Sequence, residues 1–131
     1  MKPGAVRDLK AMLMGMNPVL SERVWAFHAI SDARFIPDTA FAVIREAEGV
    51  SCILPAQAAP GDAPQFALIT LQVHSDLEGV GLTAAVATAL ATDGIACNVI
   101  AGLQHDHLFV QWDRRDDALA ILKRLSLDAR R

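Results

Sequence analysis

Aromatic side chains are scarce in this 131-residue chain, with five phenylalanines and two tryptophans against a hydrophobic content of 53%. Its core must therefore be mainly aliphatic and rich in alanine, and small side chains let backbones approach closely. Cysteine is scarcer still. Cys52 and Cys97 stand far apart, each in a predicted strand, with no CxxC pair nearby. That excludes a thiolate metal site and leaves two buried free thiols as the expectation. Basic charge does not accumulate either. The net charge is −3, and Arg130-Arg131 is a lone terminal pair, so binding to a nucleic-acid backbone is not expected. Mean hydropathy is positive at +0.30, yet no apolar run approaches the roughly 18 residues of a spanning helix. The opening MKPGAVRDLKAMLMGM is interrupted by Arg7, Asp8 and Lys10. A secretory leader needs an unbroken apolar centre, so a cytoplasmic protein without membrane contact is expected. No GxSxG, P-loop or dinucleotide fingerprint occurs, and neither enzymatic activity nor a cofactor is expected.

What is present centres on residues 69–111. Leu71 and Val73 alternate with Thr70, Gln72 and His74, the period-2 pattern of a half-buried strand. Ser75 precedes Glu78 by three, the spacing of a capping box that opens a helix. Leu77, Val80, Ala84, Ala87 and Ala91 then recur at helical spacing. Gly94 stops the helix, a strand runs over Ile95–Ile100, Ala101-Gly102 turns, and Leu108–Gln111 returns. Upstream, a short helix carries Val6, Leu9, Leu13 and Met16 on one face until Asn17-Pro18 ends it. The methionines at 12, 14 and 16 read as core filling. Val24–Ile30 is a strand, and Phe41–Glu46 and Val50–Leu54 form a hairpin around Ala47-Glu48-Gly49. Residues 55–65, rich in Ala, Pro and Gly, form a connector with room for no more than about two helical turns. A last helix follows Trp112-Asp113. Asp113, Asp116 and Asp117 load its start and Lys123 and Arg124 its end, both favourable for the helix dipole, while Ala118, Leu119, Leu122 and Leu125 face the core.

The segments LQVHSDLEGVGLTAAVATALATDGIACNVIAG and HDHLFV, with IREAEGVSCILP upstream, resemble the small stand-alone bacterial ACT-domain proteins, distant relatives of CASTOR-type amino-acid sensors and of aspartokinase regulatory domains. The resemblance spans nearly the whole chain and is strongest over residues 41–54 and 69–110. It implies an α+β fold of two ferredoxin-like βαββαβ subdomains, residues 1–64 and 65–131, with shared antiparallel sheet edges. The second half lacks a final strand, and Val24–Ile30 is the candidate to fill that edge. Leftover open edges favour a homodimer.

The same resemblance implies a non-catalytic regulatory protein that binds a small molecule, an amino acid foremost, at a subdomain or dimer interface. Its site falls at the loop between the first strand and first helix of the unit, with a strand completing the pocket. Carried onto this chain, that points to Ser75, Asp76, Leu77, Val80 and Gly81, and to Asn98, Val99 and Ile100 on the strand. ACT sites often hold an Asp followed by Pro-Gly in this loop, and Ser75-Asp76-Leu77-Glu78 has no proline. From the residues themselves, the amides of Asp76 to Glu78 at a helix start would suit an anion such as a carboxylate. Gly79 and Gly81 weaken a helix and so imply close backbone approach, by a packed neighbour or by a ligand. Two other functions stay open: a structural or protein-interaction module with no ligand, and a small metal-dependent enzyme using His74, His105 and His107. Since the histidines lack further ligands at metal spacing, no metal is expected, and Asp106 is read as orienting an imidazole and fixing the turn.

Overall fold

The computed structural model describes residues 4–131. They form two compact units, residues 4–21 with 67–131, and residues 22–66. This grouping differs from the sequence halves, because the amino-terminal segment joins the larger, carboxy-terminal unit.

In the larger unit, Asp8 caps the short helix α1 (Leu9–Met14), its carboxylate accepting from the Ala11 amide at 2.9 Å. The helix ends at Gly15, before the expected Asn17-Pro18 stop, and Asn17 takes φ +40 to lead into strand β1 (Pro18–Ile30). Strand β4 (Phe66–Leu71), helix α2 (Leu82–Thr92), strands β5 (Asn98–Ala101) and β6 (Asp106–Gln111) and helix α3 (Arg115–Asp128) follow. Strand β4 lies between β1 and β6, and β5 pairs antiparallel outside β6. This is the ferredoxin-like strand order, with an amino-terminal strand in the place of the missing last one. The edge-filling strand begins at Pro18, and its first residues to Ser21 belong to this unit, rather than the expected Val24–Ile30.

Its core is aliphatic. Met12 and Met16 from the amino-terminal segment meet Ile69, Leu71 and Val73, then Leu82, Val86 and Leu90 of α2, and Ala118 and Leu122 of α3. Leu119 and Leu125 pack partly buried against this cluster. Met12 and Met16 are therefore core filling, as expected, whereas Met14 is 38% exposed and lies outside the core.

The expected start of α2 is wrong by about two turns of chain. Ser75 is drawn into a parallel bridge with Val6, with Val6 N–H donating to the His74 carbonyl and Asp76 N–H to the Val6 carbonyl, each at 2.8 Å. Gly81 then adopts φ +109, a conformation incompatible with a helical residue, and the helix begins at Leu82. Ser75 and Glu78 thus form no capping box: Ser75 bonds to Asp106, and Glu78 pairs with Arg7. The buried face is Leu82, Val86 and Leu90, not the stripe from Leu77 to Ala91, and Leu77 and Val80 are 67% and 83% exposed. The sequence LTAAVATALAT is small and apolar on nearly every side, so spacing alone cannot fix which side packs.

Helix α3 begins after a 3-10 turn at Trp112–Arg114. The Arg115 guanidinium sits 3.9 Å from the Trp112 ring centroid and donates to its carbonyl. Asp116 and Asp117 lie in its first turn, as the dipole argument requires.

In the smaller unit, strand β3 (Gly49–Pro55) lies between β2 (Ala42–Glu46) and β1. Its register sets Phe27 opposite Ile53 and Ile53 opposite Ala42. Glu46 opposite Gly49 leaves Ala47-Glu48 as a two-residue turn, and Gly49 takes φ +141. The few aromatics concentrate here, with Trp25 edge-on to Phe41 at 5.6 Å and Phe27 edge-on to Phe66 at 5.2 Å. The connector holds one 3-10 turn, Ala56–Ala58.

The buried face of α2 gives a direct test by urea unfolding. Leu90→Ala should cost about 2–5 kcal/mol, whereas Leu77→Ala should stay within about 0.5 kcal/mol.

Candidate functional site

The loop between β4 and α2 lines a cavity of about 140 Å³ in the larger unit. Its walls come from Ser75, Asp76, Leu77, Gly79 and Gly81 of the loop and Leu82 and Thr83 of the helix start. Met12 of α1 and Asp106 of β6 complete it. Sequence reasoning places Ser75, Asp76, Leu77 and Gly81 here. Val80 points to solvent and is not part of the lining. Asn98, Val99 and Ile100 lie on β5 and do not line this cavity either; the Asn98 amide nitrogen donates to the Phe109 carbonyl at 3.3 Å.

The loop's shape follows from its bonds. Oδ1 of Asp76 accepts from the Glu78 amide at 2.8 Å, an Asx turn, and the Asp76 carbonyl accepts from Gly79 N–H at 2.8 Å. Arg7 reaches across to both Asp76 (3.4 Å) and Glu78. The anion cradle expected at Asp76 to Glu78 is therefore corrected: the Asp76 and Glu78 amides already have partners within the protein. The free amides of a helix start belong instead to the first turn from Leu82, which no side chain caps.

The two loop glycines answer to packing. A Cβ on Gly79 would lie 3.0 Å from the Asp76 carbonyl oxygen and 3.2 Å from Met12 Sδ. One on Gly81 would lie 3.0 Å from Leu9 Cδ2. Helix α1 sits on the loop at both points.

Asp106 is the residue that sequence reasoning misplaced. Strand β6 starts two residues earlier than expected, so Asp106 lies in the sheet, 8% exposed, with its carboxylate accepting from Ser75 Oγ at 3.2 Å. The hydrogen bond given for its carboxylate comes from the Ser75 hydroxyl and not from an imidazole. His107 Nδ1 instead meets Thr70 Oγ1 at 3.0 Å, and the His105 carbonyl accepts from Gly102 N–H at 3.0 Å. The only cue in the sequence is alternation: if His107 is on one face of a strand, its neighbour Asp106 is on the other.

Among the described residues, no group of three or more His, Cys, Asp or Glu could hold a metal ion. Cys52 is a buried and Cys97 a half-buried free thiol, and burial pushes the Cys97 thiol up. No helix among the described residues is long and apolar enough to cross a membrane. Burial pulls the His107 imidazole down from its usual range; the neighbouring His105 adds to this and Asp106 partly opposes it.

An ACT-domain model matches residues 65–124, and a second ACT-domain model matches residues 4–67. A solved structure from Vibrio cholerae, a protein of unknown function described as a possible transport protein, is 41% identical. It has a TM-score of 0.76 over 86% of this chain and 92% of that one. A protein from Agrobacterium tumefaciens is 21% identical, with a TM-score of 0.61 over 79% and 81%. The aspartate kinase of Clostridium acetobutylicum is 11% identical, with a TM-score of 0.59 over 80% of this chain and 32% of that one. These last two likenesses concern the fold alone. No curated protein matches the chain.

The His107 environment sets a sign for pH dependence. A histidine whose folded-state pKa is lowered binds fewer protons folded than unfolded, so stability falls as pH drops below the unfolded value of about 6.5. Thermal melts between pH 8 and 5 should show that fall, and His107→Asn should flatten part of it. An unchanged profile in the variant would show that His107 does not contribute.

Proposed function

We propose, on the premise that this chain belongs to the ACT-domain family, that it is a non-catalytic regulatory protein whose ligand is a small zwitterion, an amino acid foremost. The ligand occupies the cavity at residues 75–83, in a cytoplasmic homodimer. ACT domains are regulatory rather than catalytic modules, and the cavity lies in the loop to which the family resemblance leads. The observation that carries the reading is the composition of that cavity. Two acidic residues, Asp76 and Asp106, line it together with Leu82 and Thr83 of the uncapped first turn of α2. A group of each sign on one small molecule complements that arrangement.

The volume is informative too. At about 140 Å³ the space is well below the roughly 300–1,000 Å³ of drug-sized sites. It suits one small polar metabolite and excludes a nucleotide. The dimer reading rests on β5. This four-residue strand has β6 on one side, and its outer edge is the end of the sheet order. Pairing there would bring Asn98, Val99 and Ile100 to a seam between two copies.

A thermal-shift screen of the twenty amino acids tests the ligand. A compound that binds only the native state at a hundredfold excess over its Kd adds about 2.7 kcal/mol, a rise of several degrees. No rise with any amino acid at millimolar concentration leaves the chain as a dimerisation scaffold. Sedimentation equilibrium tests the pairing: a dimer is expected, and a monomer throughout the micromolar range overturns it.

A further inference from the structure

The geometry points to Asp106, seated on Ser75, as the acceptor for a ligand's primary ammonium group, which makes the site selective for small amino acids over acids that lack the amine. This inference rests on the proposed ligand site and adds the group that determines which ligands enter it.

The two carboxylates of the cavity differ in what compensates them. Asp76 has an ion pair to Arg7 and a hydrogen bond from the Glu78 amide, so its two oxygens are both engaged. Asp106 is more than nine-tenths buried and has one hydrogen bond, from the Ser75 hydroxyl. Among the described residues it makes no ion pair with Arg, Lys or His. A largely buried carboxylate with one neutral donor is stabilised when a cation arrives. His107 meets Thr70 on β4, and burial holds its imidazole below the usual range, so it brings Asp106 no full positive charge at neutral pH. Asp106 does, however, line the cavity. A cation entering that space meets Asp106 and the Ser75 oxygen together.

A bare cation would leave the rest of the cavity unsatisfied. Leu82 and Thr83 open α2 with amides that no side chain caps. An α-amino acid carries both groups, an ammonium for Asp106 and a carboxylate for that turn, and both walls line the same cavity. Its side chain must be small. The total space is about 140 Å³.

Titration calorimetry with the full chain tests this with L-alanine and L-serine as probes. Propionate and L-lactate serve as partners lacking the amine, with ethylamine and potassium as cations lacking the carboxylate and L-tryptophan as an oversized control. Wild-type protein should bind alanine or serine at least tenfold more tightly than any other probe. Asp106→Asn should weaken that binding by roughly 10- to 100-fold, and Ser75→Ala by less. The melting temperature without ligand supplies an independent reading. Removing an uncompensated buried charge should leave it unchanged or raise it. If Asp106→Asn instead lowers it by several degrees, the carboxylate is structural and the inference is overturned. If wild type binds no amino acid, the ligand site itself is refuted. If it binds alanine or serine and Asp106→Asn binds equally well, or if propionate or potassium matches them, only the role of Asp106 falls.

Discussion

The contact on which the larger unit depends is the seating of its first residues against the loop after β4. Val6 and Ser75 form a bridge, Arg7 holds Asp76 and Glu78, Leu9 covers Gly81, and Met12 covers Gly79. The salt bridges alone would contribute little, since the Arg7 and Glu78 side chains are largely exposed. The backbone bridge and the close approach over two glycines are what fix the loop. They keep residues 75–81 out of the helix, set the start of α2 at Leu82, and supply Met12 as one wall of the cavity.

This explains which features were legible in the sequence. The hairpin at Ala47-Glu48 and the core face of α3 rest on local rules, turn chemistry and helical spacing. The strand expected from the alternation of Leu71 and Val73 instead runs over Phe66–Leu71, and α3 continues to Asp128, so Lys123 and Arg124 do not lie in its last turn. Ala118 and Leu122 are buried as their spacing requires. The ferredoxin-like order, with an amino-terminal strand beside β4, was likewise legible, because the second half lacks a last strand of its own.

The start of α2 was not legible, and the reason is physical. Ser75 and Glu78 have the spacing of a capping box, but that local preference competes with partners far away in sequence. Arg7 and Glu78 are 71 residues apart, and no local pattern announces their meeting. Tertiary contacts override a capping preference of about 1 kcal/mol. The cavity was half legible for the same reason. Ser75, Asp76, Leu77 and Gly81 belong to one loop, whereas Met12 and Asp106 arrive from other elements. Asp106 was further hidden by its neighbours, because two flanking histidines suggest imidazole chemistry, while the pleat turns the carboxylate the other way.

That seating also limits how far the chain behaves as interchangeable parts. The region from 65 to 124 matches an ACT domain by itself, which invites its use as a portable cassette in chimeric regulators. Moved alone, it would carry the 75–83 loop but abandon Val6, Leu9 and Met12, the residues that shape it. A graft intended to transfer recognition would have to bring along the first sixteen or so residues, spliced from the opposite end of the polypeptide.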